Sequence, residues 1–255
     1  MTTLENAASV LKLFRRFGVT QGHPGLTFTE IVDALRLPKS TVSRLLSVME
    51  SEGLLERDSD SRCFHPGALL LSISGSYLAA PLVDRVTPVM LKLAERTGCM
   101  GYISVLSGRE SVILRMFHGG QFTQVMTPPG SRIPAASSSG GRMLLAQLND
   151  DEVRERYSNE WHPGTPSSPQ SCDDLCLRLA EVRKSGFSLA CNETVFGISS
   201  LAVSISNQQF GDSMALCLSF LSQPEPPGYP QALLEALQTT AADLMAKYGA
   251  DRNEL

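Results

Sequence analysis

The chain has 255 residues, of which 42% are hydrophobic and 19% charged, and its formal net charge is −4. That length suits one large domain or two ordinary ones, and the composition excludes a largely disordered or fibrous chain. The acidic balance excludes a uniformly basic nucleic-acid coat, and no apolar run approaches the ~20 residues of a membrane span.

Ala7, Val10, Leu11 and Phe14 recur at helical spacing, which predicts a first helix over about Leu4–Arg16. After a Gly/Pro loop, Thr27-Phe28-Thr29-Glu30 has the form of a capping box opening a short helix. Pro38 is expected to stop that helix and to pre-shape the first turn of the next. The next helix runs to about Glu52, with Val42, Leu45, Leu46 and Met49 inward and Gly53 ending it. Leu54–Arg57 and Arg62–His65 read as two short strands around the turn chemistry of Asp58-Ser59-Asp60-Ser61. Gly67–Leu78 reads as a connecting helix, and Pro81 marks a break. The expected division is residues 1–66, a linker helix over 67–80, and residues 81–255.

The second part begins with a helix carrying Leu82, Val86, Val89, Met90 and Leu93. Met100–Leu106 and Ser111–Phe117 form a hairpin pattern, with a third strand expected at Gln121–Thr127. Helices are expected at Gly140–Gln147, Asp150–Tyr157 and Cys172–Lys184, with a Pro/Ser loop at Trp161–Gln170. Strands follow at Phe187–Glu193, Ile198–Ser206 and Ser213–Phe220, then a final helix over Pro230–Lys247. This order predicts an α+β domain with one mainly antiparallel sheet and flanking helices.

Two helices, a proline-marked turn and a two-strand wing describe a winged helix-turn-helix, a DNA-reading module. On the second helix the buried positions fix the opposite face, where Ser40, Ser43, Arg44 and Ser47 fall with Lys39 at its edge. Arg44 suits a bidentate contact to guanine. Lys39, Ser40 and Thr41 begin the helix, where free amides also favour phosphate. Arg57 and Arg62 of the wing are candidates for phosphate or minor-groove contact. Residues 1–66 hold eight basic and eight acidic residues, so overall charge does not drive binding. The local pattern does: no acid lies between Asp33 and Glu50, where Arg36, Lys39 and Arg44 sit together.

Leu26–Phe64, and above all Leu37-Pro38-Lys39-Ser40-Thr41-Val42-Ser43-Arg44-Leu45-Leu46 with Glu52-Gly53-Leu54-Leu55-Glu56-Arg57, resembles the IclR family of bacterial regulators. Gly130-Ser131-Arg132-Ile133-Pro134, Ser139-Gly140-Gly141-Arg142-Met143-Leu144-Leu145-Ala146 and the Gly186–Val203 stretch resemble the family's second domain, so the likeness covers nearly the whole chain. The resemblance implies a GAF/PAS-like effector-binding domain and a ligand-responsive regulator, more often a repressor. Carried over by motif, it implies a pocket at Phe122, Ser139, Gly140, Ala190, Ser200, Cys217 and Ser219. Family members often have an acidic residue where Ala190 stands and a histidine where Ala136 stands. Their loss tilts the expected ligand from a glyoxylate-like molecule toward a larger, aromatic acid. Ser137-Ser138-Ser139 opens a helix whose amides and hydroxyls suit a carboxylate, although serine's commonest role there is to cap.

Operator DNA, a small organic or aromatic acid and a second copy of the chain (homodimer or homotetramer) are the expected partners, since such readers bind paired half-sites. No cofactor and no membrane contact are expected. The six cysteines, Cys63, Cys99, Cys172, Cys176, Cys191 and Cys217, are expected as free thiols, and the start Met1-Thr2-Thr3-Leu4-Glu5 lacks an export signal's pattern, so a cytoplasmic protein is expected. A DNA-binding dimer without effector stays open as an alternative. An enzyme is the remote one, because no nucleophile elbow, phosphate loop or paired metal motif is present.

Overall fold

In the structure, a computed structural model, residues 2–18, 25–78, 81–120, 127–158, 161–162, 164–207, 212–222 and 228–248 are described. The chain packs as two units, residues 1–80 and 81–255. The expected third strand at Gln121–Thr127 and the candidate Phe122 lie outside the described residues, apart from Thr127.

The first unit contains α1 (Thr3–Gly18), α2 (Phe28–Leu35), α3 (Lys39–Ser51), β1 (Leu55–Arg57), β2 (Phe64–Pro66) and α4 (Ala68–Leu78). Its core joins Val10, Leu26, Ile31, Val42, Leu45, Leu46, Met49, Leu55 and Phe64. Val10, Ile31, Val42, Leu45, Leu46 and Met49 come from the inward stripes of the three helices, while Leu26, Leu55 and Phe64 come from extended segments beside them. The capping box forms: Thr27 Oγ1 accepts from Glu30 N (3.3 Å), and Glu30 Oε2 accepts from Thr27 N (2.7 Å). Two details differ from the sequence reading. Arg36, in left-handed conformation, ends α2 before the proline, and Pro38 sits at the cap of α3 and not inside its first turn. The proline's missing N–H is harmless at either place. Gly53, at φ 70°, closes α3 with Leu54 N donating to Met49 O (2.9 Å).

The second unit opens with α5 (Pro81–Thr97), then β3 (Met100–Ser107), β4 (Glu110–Phe117), β5 (Arg132–Pro134), a 3₁₀ turn (Ala135–Ser137) and α6 (Ser139–Leu145). α7 (Asp150–Arg156), α8 (Cys172–Ser185), β6 (Ser188–Cys191), β7 (Ile198–Asn207), β8 (Asp212–Leu221) and α9 (Tyr229–Tyr248) complete it. The six strands form one antiparallel sheet in the order β5-β4-β3-β8-β7-β6. The expected α+β class with a mainly antiparallel sheet is therefore what the structure shows. α5 and α9 pack on the sheet, while α6 lies across β3, β8 and β7 with α8 behind it. Every residue of α6 is buried, Arg142 included. β5 is an element that the sequence reading left as loop, and β6 is shorter than expected at both ends. Among the described residues no helix is long and apolar enough to cross a membrane, and no group of three or more potential metal ligands occurs.

Candidate functional site

Two sites emerge, one in each unit. On α3 the buried stripe Val42, Leu45, Leu46 and Met49 leaves Lys39, Ser40, Thr41, Ser43, Arg44 and Ser47 exposed. The six candidates on α3 thus share solvent-facing positions. Val48, 51% exposed, is an addition to them: it stands one turn beyond Arg44, and an apolar side chain there can meet a thymine methyl.

The wing is short and stiff. Asp58 Oδ1 accepts from Asp60 N (3.1 Å), Ser61 N (2.7 Å) and Ser61 Oγ (2.8 Å). The Ser61 amide foremost, with the Ser61 hydroxyl, holds the Asp58 carboxyl below its ordinary range. Arg57 is exposed, yet its Nε donates to Arg62 O (3.3 Å) and its guanidinium lies 5.0 Å from the Phe64 ring centroid. It therefore holds the wing together, while Arg62 extends from the turn at φ 60°.

In the second unit, strand register assembles a cavity. Met100 pairs with Ser219, Ser219 with Ser200, and Ser200 with Ala190, giving one row across four strands. The next row on the same face carries Tyr102, Cys217 and Ala202. α6 starts over these rows, and Ser139 Oγ meets Ser200 Oγ at 2.7 Å. The result is a concave space of about 730 Å³, open solvent at its mouth included. Six of the seven carried-over residues line it: Ser139, Gly140, Ala190, Ser200, Cys217 and Ser219. The reading missed Tyr102, Ser104 and Ser111 as hydroxyl sources and Ile113, Ile133 and Val195 as apolar wall. The period-2 alternation of Met100, Tyr102 and Ser104 was the available signal.

The cavity wall is mainly apolar, with hydroxyls set into it. Among the described residues its lining contains no lysine, arginine or histidine, and Glu193 is the one acid. That glutamate is matched: Arg142 contacts both of its oxygens, with Nη2 to Oε1 at 2.9 Å, and Arg142 Nη1 also donates to Ala136 O (3.1 Å). Thr194 Oγ1 donates to Ser137 O (2.9 Å), so the segment after β6 is tied to the turn before α6. Ser138 caps α6 by accepting from Gly141 N (3.2 Å). Capping is thus the observed role of Ser138, while Ser139 faces the cavity. Ser104, 1% exposed, has no hydrogen-bond partner of good geometry for its Oγ, which sits near the Cys217 thiol. A Cβ on Gly140 would come within 2.8 Å of both Cys217 Sγ and Ser104 Oγ, so glycine keeps this corner open. Burial pushes the Cys217 thiol up to about 12 and raises the Tyr102 phenol, so both are neutral near pH 7. None of the six cysteines is joined in a disulfide.

Residues 3–59 match the family model described as IclR helix-turn-helix domain, and residues 77–246 match that described as bacterial transcriptional regulator IclR C-terminal. The HTH-type transcriptional regulator XynR of Escherichia coli is 25% identical over 223 residues, covering 86% of each chain. The transcriptional repressor IclR of Escherichia coli is 26% identical, covering 79% of this chain and 75% of the relative. An IclR homolog from Microbacterium hydrocarbonoxydans, solved in complex with 4-hydroxybenzoate, has a TM-score of 0.82 at 22% identity, covering 98% of this chain and 100% of that one.

Proposed function

The chain belongs to the IclR family of bacterial transcriptional regulators, and on that premise we propose that it represses a catabolic operon and responds to a small organic acid, aromatic by preference. It is a transcriptional regulator and not an enzyme, as its domains and relatives are. In this reading α3 enters the major groove with Arg44 on a guanine edge, Ser43 and Ser47 beside it, and Lys39, Ser40 and Thr41 on phosphate. Arg62 reaches the backbone from the wing, and Arg57 supports it.

The observation that carries the effector reading is the cavity between α6 and the sheet, mainly apolar, dotted with hydroxyls and without a cation among its described lining residues. Ser139, Ser200 and Ser219 offer donors to a carboxylate, and Met100, Ile113 and Ile133 offer an apolar surface to a ring. Hydroxyl donors in a partly desolvated site can hold a monoanion without a countercharge, whereas a dianion would be costly there. The bound 4-hydroxybenzoate of the Microbacterium hydrocarbonoxydans relative supports an acid with a ring. A ligand wedged against Ser139 bears on the first turn of α6 and, through Thr194, on the segment after β6. Its binding would bias the protein between states by its differential affinity for them, which is a coupling free energy with the DNA site. Assembly as a homodimer or homotetramer in the cytoplasm completes the proposal, because reading paired half-sites needs two copies.

Footprinting on the DNA upstream of its own gene, repeated with 4-hydroxybenzoate and a panel of other organic acids, tests the whole reading. The expected result is a protected site that one acid releases. The same acid at 100 times its Kd should stabilise the protein by about 2.7 kcal/mol. A footprint indifferent to every acid, with no thermal shift, would leave a regulator without an effector. Ser139→Trp should abolish the acid response and keep the footprint; an unaltered response would remove the ligand from the start of α6.

A further inference from the structure

Among the described residues three non-glycine residues take left-handed backbone conformations, and the two in the first unit are both arginines: Arg36 at φ 55° and Arg62 at φ 60°. Arg36 ends α2, where its backbone N–H donates to Val32 O at 2.9 Å. That hydrogen bond comes from the main chain and needs no side chain. Glycine suits the position best and asparagine next, because a Cβ in this conformation crowds the backbone. A long cationic side chain is therefore neither required by the cap nor favoured by the backbone.

The surroundings give the charge a use. Arg36, Lys39 and Arg44 are exposed and have no acidic partner among the described residues, in a stretch that contains no acid from Ala34 to Met49. In the second unit Arg132, Arg142, Arg154, Arg178 and Arg183 each pair with a carboxylate. Leu37 packs against the core and Pro38 caps α3, so the turn that carries Arg36 is anchored on its C-terminal side. Residue 36 thus lies three positions before the first residue of α3, next to the end by which a reading helix approaches base edges.

We propose that Arg36 is a phosphate contact, set on the helix-turn-helix turn so that it and Arg62 of the wing bracket α3 on the DNA backbone. The proposal rests on the DNA-reading assignment of α3. A guanidinium meets a phosphate through two parallel N–H donors, and such a contact adds affinity without sequence preference.

The test uses the full chain with Arg36→Gly, Arg36→Asn and Arg36→Lys, on a random-sequence duplex and on the footprinted site, titrated between about 50 and 200 mM salt. Arg36→Gly and Arg36→Asn should weaken both duplexes several-fold by the same factor. Each should flatten the slope of log K against log salt by about 0.9 for every Arg36 in the complex. Arg36→Lys should keep most of the slope. Arg36→Gly should at the same time melt no lower than the parent, since glycine relaxes the turn. Affinity falling while stability holds separates a contact from a structural role. A wild-type slope in Arg36→Gly overturns the proposal. If Arg44→Ala loses its operator preference in the same experiment, the DNA reading stands without Arg36. If the parent chain binds neither duplex, that reading and this proposal fall together.

Discussion

At the scale of single residues, the cavity's character comes from neutral groups held neutral by burial. Cys217 shows it most clearly. Its thiol is pushed from an ordinary 9.0 up to about 12 by burial, with the Ser104 and Ser139 hydroxyls pulling weakly the other way. A folded-state value raised above the unfolded one means full stability below about pH 9, where the unfolded thiol begins to ionise. That contribution is lost as pH rises toward 12. Urea midpoints measured from pH 8 upward should therefore fall, and Cys217→Ala should flatten the fall. Tyr157, raised to about 12 by burial, keeps part of the slope in the upper end of the same window. An equally steep fall in the variant would show that Cys217 does not titrate as a buried group. Glu193 and Arg142 follow another logic: both are charged, both are nearly fully buried, and each satisfies the other.

At the scale of elements, short local signals fix where helices begin, and long-range pairs fix how they pack. The capping box at α2 is local, and Thr27→Ala should cost about 1 kcal/mol, within the usual 0.5–2 kcal/mol for such caps. Thermal melts of parent and variant check it, and an unchanged midpoint would mean the box adds nothing to α2. The pair between α6 and the segment after β6 is long-range. Glu193→Ala leaves Arg142 buried without its counterion, at an expected cost of about 3–5 kcal/mol. Arg142→Met with Glu193→Leu removes both charges and should recover most of that loss. Trp161, the single tryptophan, packs against the core of this unit and reports its unfolding by fluorescence. A double variant as unstable as Glu193→Ala would mean that the hydrogen bonds Arg142 donates to Ala136 O (3.1 Å) and Leu189 O (2.5 Å), and not the charge pair, hold this region.

At the scale of the whole molecule, the reader is thinly charged. The acid-free stretch holds three cations, Arg36, Lys39 and Arg44, so on the proposed reading one copy would have little electrostatic hold on DNA and useful affinity would depend on a second copy. The apolar side chains of α4 suit that role, Leu71 being 74% and Ile73 57% exposed, with Leu69 beside them and Leu4 exposed on α1. Leu71→Asp with Ile73→Asp should shift the sedimentation of the protein toward a monomer and weaken operator binding at least tenfold, a difference of about 1.4 kcal/mol. An unchanged assembly would place the interface elsewhere.

The sequence by itself determined what depends on neighbours along the chain. Periodicity gave α1 to α3 and their buried stripes, the Thr27/Glu30 pattern gave the cap, and the acid-free stretch around Arg44 marked the exposed face of α3 proposed to read DNA. The motifs of the second unit located six lining residues by likeness, although spacing alone would not have joined them. Tertiary structure decided the rest, because the cavity is a property of register. Met100, Ser219, Ser200 and Ala190 become one row only when four strands pair, and a one-residue slip would turn that row away from α6. β5 was illegible for a similar reason: three residues ending in proline look like loop until β4 supplies the partner. The matching of Glu193 by Arg142, 51 residues away, is likewise invisible along the chain, since burial and pairing of two charges are decided only when α6 and the segment after β6 meet.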